Sequence, residues 1–182
     1  MVEILAKTFK KKTLSILDVG TGSGCILISL LSELENSKGV GIDISKKAIL
    51  IAKKNAKKHK VLNNIKFLNK SISSNFNQKF DLIVSNPPYI KSSNLRKLSN
   101  DIKKYEPRIA LDGGNDGLDL IKKVIYKTKN ILKFKGMLAL EIGNEQKNKV
   151  SKILLKNNFK IEYTIKDYKD NVRCLISTYL NN

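Results

Sequence analysis

A glycine-rich loop joins an apolar, β-branched run to a helical pattern near the start of the chain, and it is the first of several such strand-to-helix junctions. Leu14 to Val19 reads as a buried strand, Gly20-Thr21-Gly22-Ser23-Gly24 as the loop, and Cys25 to Leu34 as the helix after it. Lys38 to Ile42 is a second strand. Ser45 then has the character of an N-cap, with Ala48, Ile49, Ala52 and Ala56 at helical spacing as far as His59. Ile65 to Asn69 and Phe80 to Ser85 are the third and fourth strands, the last stopped by Asn86-Pro87-Pro88. Strand and helix in strict alternation give a parallel sheet with helices on both faces, because parallel neighbours need a long crossover connection.

Beyond the prolines, Tyr89 to about Asp116 is a long irregular stretch containing Pro107, Gly113 and Gly114; a loop of this length inside a compact domain usually has a function. Gly117 to Lys133 follows as a helix and Phe134-Lys135-Gly136 as a turn. Met137 to Ile142 is a fifth strand and Gln146 to Asn157 a further helix. Ile161 to Lys166 and Arg173 to Tyr179 have no helix between them and are expected to pair antiparallel. The expected fold is therefore α/β, a mostly parallel seven-stranded sheet closed by an antiparallel C-terminal hairpin. With 182 residues and no internal repeat, low-complexity tract or boundary, one domain is expected over 1–182, with 1–13 as a short lead-in helix built on Val2, Ile4, Leu5 and Phe9.

Composition narrows the chemistry. A hydrophobic fraction of 41% with 28% charged residues is that of a globular chain. No apolar run approaches the ~20 residues of a membrane span, and the start does not read as a signal peptide, so a cytoplasmic setting without membrane partners is expected. Cys25 and Cys174 lie far apart and His59 is the one histidine, a pattern that argues against a metal site, a disulfide framework or His-based nucleophilic catalysis. The net charge of +19 suits a polyanion such as RNA, DNA or the ribosome. It comes from 32 lysines and only 3 arginines, alongside 19 asparagines, which is also the signature of an AT-rich coding composition.

The loop is G-x-G-x-G. It lacks the G-x-G-x-x-G of a dinucleotide fingerprint, since position 25 is cysteine, and no Gly-Lys-Ser/Thr follows to make a P-loop. Asp43 ends the second strand, 23 residues after Gly20, where a carboxylate can accept hydrogen bonds from both ribose hydroxyls. A nucleoside pocket formed by Gly20, Thr21, Gly22, Ser23, Gly24 and Asp43 is expected; the plain alternative for Asp43 is a turn or helix-capping aspartate before Ile44-Ser45. Asn86-Pro87-Pro88-Tyr89 then stands at the carboxyl end of the fourth strand, where open α/β sheets bind ligands. Two prolines remove two backbone donors and fix two φ angles. The Asn86 side chain and the Pro87 carbonyl can take the two N–H bonds of a planar NH2 group, orienting it for alkylation, and Tyr89 offers a flat face.

Asp18 to Gly24, Asp43 and Asn86 to Tyr89 together resemble the class I, Rossmann-like S-adenosylmethionine-dependent methyltransferases that act on exocyclic or amide nitrogen. Phe80 to Ile90, Tyr105-Glu106-Pro107-Arg108 through Asp112-Gly113-Gly114, Asp116-Gly117-Leu118, and Glu141-Ile142-Gly143 resemble more narrowly the peptide chain release factor glutamine methyltransferases, the PrmC/HemK family. The resemblance implies S-adenosyl-L-methionine as cofactor, held by Gly20 to Gly24, Asp43 and Asn86. It implies a release factor as substrate, its Gly-Gly-Gln glutamine held by Asn86, Pro87, Pro88 and Tyr89, with the Glu106 to Gly117 loop shaping the mouth.

Two departures stand out. Asn69-Lys70-Ser71-Ile72 has no acidic residue where the family often places one near the adenine, leaving Ser71 as an acceptor. The family also usually carries a helical domain ahead of the core, whereas 13 residues precede the first strand here, so weak engagement of release factor is expected. The competing readings are an N6-adenine or N2-guanine methyltransferase on DNA or RNA, which shares Asn-Pro-Pro-Tyr, and a non-catalytic domain with a degenerate pocket.

Overall fold

A computed structural model describes residues 1–99, 101, 104 and 107–180. In chain order the elements are α1 (Val2–Thr8), β1 (Ser15–Val19), α2 (Cys25–Glu33), β2 (Lys38–Asp43), α3 (Lys46–Lys58), β3 (Ile65–Asn69), β4 (Phe80–Ser85), α4 (Asp119–Ile131), β5 (Leu132–Glu141), α5 (Lys147–Lys156), β6 (Phe159–Lys166) and β7 (Val172–Tyr179). The strands form one seven-stranded sheet in the order β3-β2-β1-β4-β5-β7-β6. Pairing is parallel from β3 to β5, and β7 runs antiparallel to both β5 and β6.

The apolar runs read without alternation because both faces of the sheet are covered. In β4, Leu82, Ile83 and Val84 are all fully buried. Leu82 and Val84 join Ile16 under α1, α2 and α3, through Leu5, Leu27, Leu30 and Ala52. Ile83 joins Leu17, Leu138 and Leu140 under α4 and α5, through Ile121, Val124, Val150 and Leu154. Each such side chain contributes about 1.5–3 kcal/mol by burial.

The chain builds outward from β1 to β3, then crosses back to β4 and builds the other way. The carboxyl ends of β1 and β4 therefore meet where the order reverses, the place where an open α/β sheet opens a crevice. Val19 and Ser85 are paired there, and the Ser85 hydroxyl donates to the Val19 carbonyl at 2.8 Å.

Several boundaries differ from the sequence reading, each for a local reason. The Phe134-Lys135-Gly136 turn is a bulge within β5, lying between the pairs Phe80–Leu132 and Leu82–Met137, with Lys135 at φ 58°. Helix α4 starts at Asp119 because Gly117, at φ 74°, cannot lie in a right-handed helix. Strand β6 starts earlier, at Phe159, whose buried ring packs 5.0 Å from that of Tyr179. Among the described residues after Tyr89 there are 3₁₀ turns at Ser92–Lys97 and Arg108–Ala110 and a parallel bridge between Ile90 and Asp112. Tyr105 and Glu106 of the motif fall outside the described residues. Among the described residues no helix is long and apolar enough to cross a membrane.

Candidate active site

The glycine loop is tied to the end of β2. The Gly20 and Thr21 amides both donate to the Ile42 carbonyl at 2.9 Å. Gly22 N–H donates to Asp43 Oδ2 at 3.0 Å, and Ser45 N–H to Asp43 Oδ1 at 2.8 Å. Asp43 is thus a turn residue and a clamp on the loop at once. Each of its oxygens has a lone pair left over, so these bonds do not exclude a ribose. Ser45 caps α3 as expected, its hydroxyl accepting from Ala48 N–H at 3.2 Å.

Gly24 caps α2 at φ 83°, and a Cβ there would lie 2.9 Å from Ile28 Cδ1. At Gly20 the opposite holds, for a Cβ would meet nothing within 4 Å. Asn69, in the segment that has no acidic residue, donates through Nδ2 to the carbonyls of Asp43 and Ile44 at 2.9 and 2.8 Å. Ser71 Oγ accepts from Ser73 N–H at 3.1 Å. Ile44, an apolar side chain left 57% exposed beside Asp43, could flank a base and was not singled out in the sequence.

Asp18 lies within β1 and is 1% exposed. Its Oδ2 accepts from the Thr21 hydroxyl at 2.7 Å, while Oδ1 has no hydrogen-bond partner among the described residues. Burial pushes its carboxyl up to about 7, against the Thr21 hydroxyl and helped by the nearby Asp43 charge. An aspartate inside an apolar strand is the sequence signal that could have marked it. An unfolded aspartate titrates near pH 4, so from there up to about 7 the folded chain holds the extra proton and stability falls as pH rises. Asp18→Asn should flatten that fall in melting temperature by a few degrees. Parallel melting curves for parent and variant from pH 4.5 to 7.5 would assign the titration elsewhere.

Beyond β4, Asn86 is exposed, Pro87 buried, and Pro88 and Tyr89 half-buried. The Pro87 and Pro88 carbonyls accept no hydrogen bond among the described residues. The carbonyls that follow are paired. Tyr89 O accepts from Gln146 Nε2 at 3.0 Å, and Ile90 O from Gly113 N–H at 2.8 Å.

The structure brings the distant motifs onto this element. A Cβ at Gly113 would sit 2.8 Å from the Pro88 carbonyl, and one at Gly117 would sit 2.5 Å from that of Tyr89, so only glycine lets the loop lie this close. Asp112 closes the loop, its Oδ1 accepting from the Ser92 hydroxyl at 2.6 Å and from Gly114 N–H at 3.0 Å. The Ser92 hydroxyl bond leads in holding its carboxyl below the usual range.

Gln146, 8% exposed, joins the three segments. Its Oε1 accepts from Gly143 N–H at 2.8 Å, and its Nε2 donates to Tyr89 O at 3.0 Å and to Gly117 O at 3.1 Å. Sequence reasoning missed it, reading it as the first residue of a helix. Gln146→Leu would leave three backbone groups unpaired, two of them in buried bonds, and should cost about 2–3 kcal/mol of stability. A urea midpoint unchanged from the parent would show that water replaces the amide.

The Tyr89 side chain is held separately. Arg173 Nη2 donates to Tyr89 Oη at 3.0 Å, and its guanidinium carbon lies 5.5 Å from the ring centroid. Glu141, at the end of β5, is half-buried. Burial pushes its carboxyl up, while the Arg173 charge, the Tyr89 hydroxyl and the Asn86 amide act on it in the opposite direction. A cavity of about 350 Å³ lies here, lined by Tyr89, Lys91, Asp116, the 143–146 turn and Arg173. A second, of about 690 Å³, is lined by Ser92, Leu95, Arg96, Arg108 and Leu111 in the neighbouring loop.

An open cradle at Gly20, a buried carboxylate oxygen without a partner at Asp18, and spare acceptor capacity at Asp43 fit a cationic nucleoside. With the sheet order they define a class I, Rossmann-like S-adenosylmethionine-dependent methyltransferase fold, and S-adenosylmethionine is its cofactor. The chain belongs to the methyltransferase domain family, whose model matches residues 10–176, and is related to the release factor glutamine methyltransferases. It is 40% identical over 178 residues to a bifunctional methyltransferase of Rickettsia conorii, covering 97% of this chain and 34% of that protein. It is 42% identical over 168 residues to a release factor glutamine methyltransferase of Fusobacterium nucleatum, covering 90% of this chain and 46% of that one. The chain thus spans between a third and a half of the length of these curated relatives. Among solved structures, a ribosomal protein L11 methylase of Lactobacillus delbrueckii shares the fold, with a TM-score of 0.71 at 20% identity over 99% of this chain and 77% of that one.

Proposed function

We propose that this chain transfers a methyl group from S-adenosylmethionine to the side-chain amide nitrogen of a glutamine in a protein, the glutamine of the Gly-Gly-Gln motif of peptide chain release factors. The observation that carries the reading is the packing of Pro88 and Tyr89 against Gly113, Gly117 and Gly143, with Gln146 bonding Tyr89, Gly117 and Gly143. It makes the acceptor element and the segments resembling the glutamine family one unit. Relatives named release factor glutamine methyltransferase, 42% identical, add support.

S-adenosylmethionine supplies a methyl group on a positively charged sulfur, electrophilic enough to alkylate a neutral nitrogen. In this reading Gly20, Thr21, Gly22, Ser23, Gly24 and Asp43 hold the cofactor, with Asn86 between cofactor and substrate. The amide nitrogen of a glutamine is a poor nucleophile because its lone pair is delocalised. Asn86 Oδ1 and the Pro87 carbonyl accept its two N–H bonds, orient it and stabilise the positive charge that develops on it. Tyr89 stacks on the amide plane. No strong general base is needed, since the alkylated nitrogen is acidic and releases its proton to water.

The test is incubation with radiolabelled S-adenosylmethionine and purified release factor, its Gln→Ala variant at Gly-Gly-Gln, and separately RNA and DNA. Label in release factor that vanishes in the variant is the expected result. Label in nucleic acid instead would make the chain an N6-adenine or N2-guanine methyltransferase.

A further inference from the structure

The main chain of Tyr89 is fixed by Gln146, but that amide does not set the plane of the ring. The ring is met by Arg173, which reaches it from the first part of β7. Arg173 has its own backbone anchored, its carbonyl accepting from Ile142 N–H at 2.9 Å just beyond β5. Its guanidinium lies over the ring at 5.5 Å and also bonds the phenol oxygen at 3.0 Å. On its other side, Nε lies 3.9 Å from Asp167 Oδ2. Asp167 is in turn set by the hairpin turn, its Oδ1 accepting from Lys169 N–H at 2.8 Å and Asn171 N–H at 3.0 Å.

A guanidinium is planar and carries donors at fixed angles, so lying on a ring, bonding its hydroxyl and facing a carboxylate fixes the three groups relative to one another; an ammonium can meet the same groups but imposes no plane on them. In a chain with 32 lysines and 3 arginines, an arginine stands at this position. We propose that Arg173, oriented by Asp167, is a positioning residue that sets the plane of the Tyr89 ring against which the acceptor amide stacks. The role rests on the reading of Tyr89 as that stacking face. It predicts loss of turnover without loss of cofactor affinity, because among the described residues the side-chain contacts of Arg173 are with Tyr89, Asp167 and the Glu141 charge and none is with the glycine loop or Asp43.

The experiment uses the full chain as parent, Arg173→Ala, Arg173→Lys, Asp167→Asn, Tyr89→Ala and the Arg173→Ala/Tyr89→Ala double variant. By NMR, the Arg173 Nε–H resonance of the parent should be displaced by the ring and move to the free-arginine position in Tyr89→Ala, and the Tyr89 ring signals should shift in Arg173→Ala and Arg173→Lys. These readouts need no substrate. In single-turnover transfer, Arg173→Ala should be slower by about tenfold or more. Arg173→Lys should recover little, and affinity for S-adenosylmethionine should stay within twofold. The double variant should be no slower than Tyr89→Ala alone. Unchanged Tyr89 ring signals, or losses that multiply in the double variant, would overturn the proposal. If Arg173→Ala does not fold, Arg173→Lys and Asp167→Asn decide it by the same signals. A parent that leaves release factor unlabelled while the NMR shifts appear would sink the glutamine reading and keep this one.

Discussion

Replacing Asn86 by alanine is expected to slow methyl transfer by about 10²-fold or more, the usual scale for losing a preorganised polar contact to a developing charge. Asn86 is exposed and follows the last residue of β4, so its truncation should change stability by no more than about 0.5 kcal/mol. The loss would then be one of geometry at the acceptor nitrogen. The Pro87 carbonyl, which accepts no hydrogen bond among the described residues, would remain as a single acceptor able to hold one N–H but not to fix the plane. Asn86→Asp should fare no better, because a carboxylate beside Glu141 adds like-charge repulsion and gives up the amide donor that acts on Glu141. Single-turnover rates within twofold of the parent for Asn86→Ala would move the amide-holding role to other groups.

Asp43→Ala is expected to weaken S-adenosylmethionine binding by about 2–3 kcal/mol, through loss of charge-assisted hydrogen bonds to the ribose. The carboxylate also holds Gly22 and Ser45, so part of that cost would come from a loop no longer pinned to β2. Asp43→Asn separates the two contributions. It keeps one side-chain oxygen for a loop amide but loses the charge and one acceptor, and its affinity should fall between those of parent and alanine variant. Calorimetry showing unchanged affinity in folded Asp43→Ala would remove Asp43 from the cofactor site.

What could be read from the sequence was what short-range rules encode. Leu14 to Val19 and Phe80 to Ser85 read as strands because short apolar, β-branched runs of that composition suit burial on both faces, and β1 and β4 fall within them. Ser45 caps a helix through a bond that spans three residues. The junctions at Gly20, Asp43 and Asn86 stood out because glycine, proline and a strand-ending carboxylate each impose a local geometry. The closing of the site is written differently. Gln146 reaches Tyr89 across 57 positions and Arg173 reaches it across 84, and neither spacing leaves a period in the sequence. The insertion of β7 between β5 and β6 is likewise a matter of long-range register; the hairpin itself was legible, but its place in the sheet was not. The β5 bulge reads as a turn because Phe134-Lys135-Gly136 carries turn chemistry while the flanking strand continues across it.

The single amide of Gln146 also ties the motions of the site together. The turn at Gly143, the carbonyl of Gly117 and the carbonyl of Tyr89 share one side chain, and Ile90 and Gly113 are bridged immediately beside it. Opening any one of these contacts releases restraints on the others, so Tyr89–Ile90, Gly113, Gly117 and the 143–146 turn are restrained together. The carbonyls of the prolines come immediately before Tyr89 in the chain. In the proposed reading, a substrate that binds against Tyr89 would meet an element already restrained from three segments by one side chain.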